Sequence, residues 1–254
     1  MSRVLVLVPF ALDEEAIAHR REQTVEVTLR PGVTFDFRPV LAGPTAFMSP
    51  HDWALMDIAL FEAGLSAEED GYDAVVIDTV SDSGADALRS VHDIPVLAPG
   101  RASLLFALSL GRKFGILAQW EPALARYRKV LDEWGLRDHC AGVDHFDTPP
   151  DFVALLGDKA QVVLPRMEAA CRRLIEAGAD VICLGSTTMH QAHQYLTERL
   201  EVPVVNPGPL SYKLIEAFLA LGLTHSRRAY PRPLVPKRAM VHAMLSAAAG
   251  QDAD

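Results

Sequence analysis

"YDAVVIDTVSDSGADALRSVHDIPVLAPG" (residues 72–100) and "ADVICLGSTTMHQAHQYLTERLEVPVVNPG" (residues 179–208) follow one plan. Each opens on an aspartate and a short apolar run, DAVVID (73–78) and DVICLG (180–185), that reads as a buried strand. Asp73 stands six residues before Thr79, and Asp180 six before Ser186. A helix follows in each, then a proline-centred strand, IPV (94–96) or VPV (202–204). A Pro-Gly pair comes next, Pro99-Gly100 or Pro207-Gly208, and a second helix closes at SLG (109–111) or ALG (220–222). The copies differ by one residue before the proline strand and by three, roughly one helical turn, in the last helix. Such a duplication predicts two lobes related by a pseudo-twofold axis, with an active-site cleft between them.

The rest of the chain extends this plan. RVLVLVP (3–9) and KFGILA (113–118) read as buried strands, and LDEEAIAHRREQ (12–23) as a helix. Within 50–64, Pro50 near its start and Gly64 past its end mark a helix, and another over 121–135 ends at Gly135. In 159–178, Leu164, Met167, Cys171, Leu174 and Ile175 recur at helical spacing, so Cys171 reads as core. Strands alternating with helices give an α/β fold, each lobe a mainly parallel sheet flanked by helices. Residues 1–115 with the C-terminal segment 210–254 form the first expected lobe and 116–209 the second. The segment 225–239, with three prolines and five basic residues, reads as a surface loop. A last helix over 236–249 is expected to pack on a neighbouring domain or subunit.

Composition narrows the function. The 254 residues are half hydrophobic and carry a net charge of −9 with no basic run, which argues against a nucleic-acid partner. No stretch of about 18 apolar residues offers a membrane span, and the N-terminal residues lack a signal-peptide pattern. Cys140, Cys171 and Cys183 lie far apart without a CxxC, so neither a disulfide framework nor a zinc ribbon is expected, and a reducing cytoplasm fits. GxGxxG, GxxxxGK[ST] and GxSxG motifs are absent.

The chemistry concentrates where the repeated strands end, the end at which ligands bind in parallel α/β sheets. Thr79, Val80, Ser81, Asp82 and Ser83 follow the first copy's strand, and Ser186, Thr187 and Thr188 the second's. A hydroxyl there caps the next helix, and the free N–H groups of its first turn attract anions. Capping alone explains one such run; two in equivalent places favour a ligand site for a carboxylate or a developing enolate oxygen. Asp82 also suits a helix's first turn simply as an acid. His190 and His193 are expected on one face of one helix, with His190 about one turn beyond Ser186 and able to take a proton near neutral pH. The plainer reading of either histidine is a solvent-exposed or carbonyl-bonded ring. Together with Asp82 they would supply three metal ligands, but the HxxH lacks the glutamate of HExxH, and no metal is assigned. Ser49 and His51 read as a helix cap, Tyr212 and Lys213 as helix packing and a surface charge.

These repeats, above all ICLGSTTM…VPVVNPGPLSYKLIEAFLALGL, resemble the aspartate/glutamate racemase superfamily, in its hydantoin racemase branch, over about residues 70–235. Arylmalonate decarboxylase and maleate isomerase are relatives. The resemblance implies a pyridoxal-phosphate-independent isomerase, racemase or decarboxylase-like lyase without cofactor. It would act on a small carboxylate or cyclic amide, at the carbon next to a carbonyl, in a homo-oligomer. The family's two cysteines, one per lobe, move that carbon's proton; their positions match Thr79 and Ser186. An alcohol is a far weaker acid than a thiol and needs an adjacent base, so His190 is the candidate to assist Ser186. The resemblance also places Pro9, Phe10, Val80, Ser81, Gln119, Trp120 and Thr187 against substrate; Phe10 and Trp120 read equally well as core aromatics. The rival reading is a non-catalytic carboxylate-binding protein of the same fold.

Overall fold

A computed structural model of the chain describes residues 1–149 and 159–249. Residues 150–158, inside the expected second lobe, and 250–254, at the end of the first, lie outside the described residues. The chain divides into two compact units, Met1–Pro99 with Ser211–Asp254, and Gly100–Leu210, so residues 100–115 fall in the second unit.

The first unit is built on four parallel strands, β1 (Ser2–Val8), β2 (Val33–Pro39), β3 (Ala74–Ile77) and β4 (Val96–Leu97), in the order β2-β1-β3-β4. The second repeats that order with β5 (Phe114–Ala118), β6 (Cys140–His145), β7 (Val181–Leu184) and β8 (Val204–Val205), as β6-β5-β7-β8. The central strands β1, β3, β5 and β7 are near-continuous apolar runs, as strands covered on both faces must be. Helices α1 (Glu14–Arg21), α2 (Pro50–Gly64), α3 (Ala85–Val91) and α9 (Arg238–Ala248) belong to the first unit. Helices α5 (Leu124–Glu133), α6 (Ala160–Glu176) and α7 (His193–Thr197) belong to the second. The chain passes between units in α4 (Pro99–Ala107) and returns in α8 (Pro207–Leu221). The first core centres on Leu5, Leu7, Met56, Leu60, Ile77 and Leu88, the second on Leu117, Met167, Cys171, Leu174, Ile182 and Met189.

The repeated aspartates have one task. The Asp73 carboxylate accepts the Arg3 backbone N–H at 2.8 Å, at the start of β1. The Asp180 carboxylate accepts those of Arg112 at 3.0 Å and Lys113 at 2.9 Å, at the start of β5. Each aspartate's own N–H returns to the same strand, to the carbonyls of Arg3 and Lys113. These backbone donors hold the Asp180 carboxyl below its ordinary value of 3.8. A depressed carboxylate contributes stability above its unfolded pKa and loses it as pH falls through the folded one. Asp180→Asn is therefore expected to lower stability at pH 7 and to narrow the gap from the native chain as pH drops below about 4. Urea unfolding at a series of pH values checks this.

The elements also depart from the sequence expectations. Strands β2 and β6 were not expected at all. The helix over 12–23 is shorter, ending at Arg21 before a 3-10 segment, Glu22–Glu26, and 121–135 opens with a 3-10 turn, Glu121–Ala123. The last helix packs within its own unit, with Leu245 against the core and His242 Nδ1 2.7 Å from Glu62. Ser49 and Asp52 form a complete capping box at the start of α2, so Ser49 is a cap. Tyr212 is packing: its ring is buried edge-on against Phe35 at 5.0 Å and Phe37 at 6.4 Å. Lys213 Nζ donates to the Thr28 carbonyl at 2.7 Å and bridges to Glu216.

Candidate functional site

In each unit the expected residues leave the carboxyl ends of the two central, adjacent strands. Pro9 and Phe10 follow β1, and Thr79–Ser83 follow β3; Leu7 pairs with Ile77 in register. Gln119 and Trp120 follow β5, and Ser186–His190 follow β7; Leu117 pairs with Leu184. Phe10 packs against the first core, and Trp120 is half-buried ahead of a 3-10 turn.

Thr79 and Ser186 each stand two residues past the strand end, and their surroundings repeat. Thr79 Oγ1 lies 3.2 Å from Ser81 Oγ and accepts the Ser81 N–H at 3.4 Å. Ser186 Oγ lies 2.8 Å from Thr188 Oγ1 and accepts the Thr188 N–H at 3.3 Å. A hydroxyl bonded to the backbone two residues on makes a tight turn, and its partner hydroxyl is the side chain of that same residue. Two hydroxyls share one proton between them, so each pair keeps a second O–H to donate outward. Thr79, Ser81, Ser186 and Thr188 are all half-buried, whereas Val80, Ser83 and Thr187 are buried.

The turns do not open helices in the way expected. After Thr79 the chain makes a turn, with Asp82 at φ 55° and Gly84 at φ 73°, and α3 starts only at Ala85. Asp82 is therefore a turn residue in the left-handed region, which Asp tolerates and most residues do not. It is not a first-turn helix acid. Gly84 has no β-carbon to strain, and its N–H donates to Asp57 Oδ1 at 3.0 Å. After Ser186 comes a 3-10 segment, Thr187–Ala192, capped by the Ser186 side chain, and only then α7. His190 and His193 thus belong to different elements. His190 is 7 % exposed. His193 Nε2 sits 3.1 Å from the Val204 carbonyl, the carbonyl-bonded alternative.

The cysteines stand apart from this chemistry. Cys183 lies within β7, pairs in register with Ile116 and Val205, and burial pushes its thiol far up. Burial also pushes Cys171 up to about 12 and raises Cys140. No group of three or more His, Cys, Asp or Glu side chains placed to hold a metal ion exists among the described residues. A cavity of about 460 Å³ in the first unit, lined among others by Arg38, Glu62, Glu69, Arg238 and His242, includes none of the expected site residues.

Several neighbours escaped the sequence reading. Tyr127 OH donates to the Gly185 carbonyl and so fixes the residue before Ser186. Asn206, buried just past β8, donates to the His190 carbonyl at 3.5 Å. Asp78, the residue before Thr79, is buried against Arg20. A charge ending an otherwise apolar run was the available signal for Asp78, and an asparagine before Pro207 for Asn206. Nothing local marked Tyr127.

Two α/β units with one sheet order, each bearing a hydroxyl pair past its third strand, define a duplicated parallel-sheet protein with its polar turns at the carboxyl ends of the strands. The sequence profile of the Asp/Glu/Hydantoin racemase family matches residues 15–215, and the chain belongs to that family. It is 27% identical over 240 residues to a hydantoin racemase of Paenarthrobacter aurescens, covering 91% of this chain and 97% of that one. To a hydantoin racemase of Rhizobium meliloti it is 29% identical over 171 residues, 65% of this chain and 69% of the relative. The solved allantoin racemase from Klebsiella pneumoniae superposes with a TM-score of 0.82 at 26% identity, covering 93% of this chain and 95% of that one. No described helix is long and apolar enough to cross a membrane.

Proposed function

We propose that the protein is a cofactor-independent racemase or isomerase of a small cyclic amide of the hydantoin or allantoin kind, working at the carbon beside a carbonyl. The repeated hydroxyl pair carries this reading: Thr79 with Ser81 and Ser186 with Thr188, at equivalent strand ends. Loss of the proton beside a carbonyl places negative charge on the carbonyl oxygen. Each pair has one O–H left to donate to such an oxygen, and a preorganised donor is worth most where the charge develops. The side-chain amide of Gln119, past β5 in the same unit as Ser186, would help to orient the ring. Alcohols do not remove that proton unaided, so His190, buried in the 3-10 segment after Ser186, is assigned as the base acting through or beside Ser186. The relatives' names, hydantoin and allantoin racemases, support a cyclic amide over an amino-acid substrate.

One observation favours a second reading. The side chains of Thr79 and Ser186 bond to a hydroxyl and a backbone N–H within their own turns rather than to a base, as befits a protein that binds such a molecule without turning it over. Circular dichroism of single-enantiomer allantoin and 5-substituted hydantoins separates the two. The racemase reading expects the signal to decay with protein faster than in buffer. Calorimetric binding with no added decay would establish the binder instead. Substituting Thr79→Cys and Ser186→Cys together is expected to accelerate the decay, since a thiol ionises far more readily than an alcohol.

A further inference from the structure

The two hydroxyl pairs match, but the residues that precede them do not. Before Ser186 stands Gly185, held through its carbonyl by Tyr127. At the equivalent place before Thr79 stands Asp78, 2 % exposed. Its N–H makes the last bond to β1, to the Leu7 carbonyl at 2.8 Å. Beyond it the chain leaves the sheet, and its carboxylate becomes the next anchor. Arg20 Nη1, on α1, lies 3.4 Å from Asp78 Oδ2, with both side chains nearly inaccessible. Gln23 Nε2 donates to Asp78 Oδ1 at 3.3 Å and also to the Arg20 carbonyl at 3.3 Å. Tyr212 closes the cluster: its buried hydroxyl is pushed well up by burial and by the charge of Asp78.

This arrangement is an expensive way to stabilise a fold. Two charges leave water, and an apolar pair of the same volume commonly serves stability as well or better. Gln23 Oε1 and Tyr212 OH are buried without a hydrogen-bond partner among the described residues, a further cost. What the pair provides is a fixed peptide and a fixed field one residue from Thr79. We propose that Asp78, held by Arg20, is the positioning residue of Thr79: it pins the turn that carries the hydroxyl pair and sets the local charge there. This rests on the reading of Thr79 as a substrate-contacting hydroxyl. The other acids at this turn, Asp57 and Asp82, stay constant in every variant below.

The test uses the full chain with Thr79→Cys, in three backgrounds: otherwise native, Asp78→Asn, and Asp78→Asn with Arg20→Met. Alkylation by iodoacetamide is followed against pH by mass spectrometry of the peptide containing residue 79. Asp78→Asn removes the nearby negative charge and leaves that of Arg20, so the pH midpoint of alkylation falls by about one unit. Removing Arg20 as well brings the midpoint back towards its start. The doubly substituted background carries no unpaired buried charge and keeps its fold if the single variant does not. In it the limiting alkylation rate rises several-fold, because the turn is no longer pinned. A limiting rate unchanged in that background, or a midpoint unmoved in a folded Asp78→Asn chain, overturns the proposal. In the chain that retains Thr79, the double substitution is expected to lower kcat for proton exchange about 10-fold with little change in KM, the signature of misplacement rather than lost binding. A thiol that responds in a chain without turnover leaves the positioning role standing and removes the catalytic reading. Turnover with an unresponsive thiol does the reverse.

Discussion

Replacing Ser186 with alanine is expected to slow exchange of the proton beside the substrate carbonyl about 100-fold, or about 2.7 kcal/mol of transition-state stabilisation. Ser186 Oγ makes both contacts of its hydroxyl pair. It caps the 3-10 segment through the Thr188 N–H and holds the Thr188 hydroxyl at 2.8 Å. Alanine removes the partner that orients the Thr188 hydroxyl, so the pair's one outward O–H loses its fixed direction. The loss should fall on kcat more than on KM, since the hydroxyl matters most once charge has moved onto the oxygen. Stability cannot account for it. Losing a cap costs about 1 kcal/mol, a Tm shift of about 2–4 °C for a chain of this size. Exchange followed by proton NMR well below the melting range separates the two effects. Undiminished exchange in Ser186→Ala would remove Ser186 from the mechanism.

The second large effect is expected one residue earlier. A β-carbon on Gly185 would come to 2.5 Å from the Leu117 carbonyl oxygen and 2.6 Å from the Tyr127 hydroxyl. Neither can yield. That carbonyl already accepts the Gly185 N–H at 2.8 Å, and the hydroxyl donates to the Gly185 carbonyl. Gly185→Ala must therefore move β7 against β5 or push α5 outward, at a cost of about 2–3 kcal/mol and about 5–10 °C in Tm. It also displaces Ser186, so activity should drop even where the protein stays folded. Gly43→Ala is the control: its β-carbon would meet nothing closer than 3.5 Å, and near-native stability is expected. Scanning calorimetry of both variants checks the contrast.

The sequence disclosed most of the architecture because the central strands and their spacing are repeated. Buried parallel strands are apolar throughout, and β1, β3, β5 and β7 were visible for that reason. The edge strands were not. In β2, VTFDFRP, Asp36 and Arg38 face out and pair with Arg3 and Asp70, and β6, CAGVDH, is half-buried along its whole length with Asp144 paired to Arg173. Such strands are defined by a neighbour, not by their own apolar run.

The sequence puts the hydroxyl pairs past these strand ends but does not reveal the local conformation. Asp82 and Gly84 take left-handed backbone angles and delay α3, and the Ser186 cap opens a 3-10 segment rather than an α-helix. The anchors behind the pairs were hidden by distance along the chain. Gln23 meets Asp78 across 55 positions, and Tyr127 meets Gly185 across 58. Pairing at that range leaves no periodic trace.

The most direct measurement is proton NMR of the native protein with allantoin and 5-substituted hydantoins in deuterated water. The signal of the proton beside the carbonyl is expected to disappear faster than in buffer, at a rate proportional to protein concentration, and Ser186→Ala to restore it. A bound substrate whose proton signal persists at the buffer rate would contradict the account and leave a binding protein on a racemase fold.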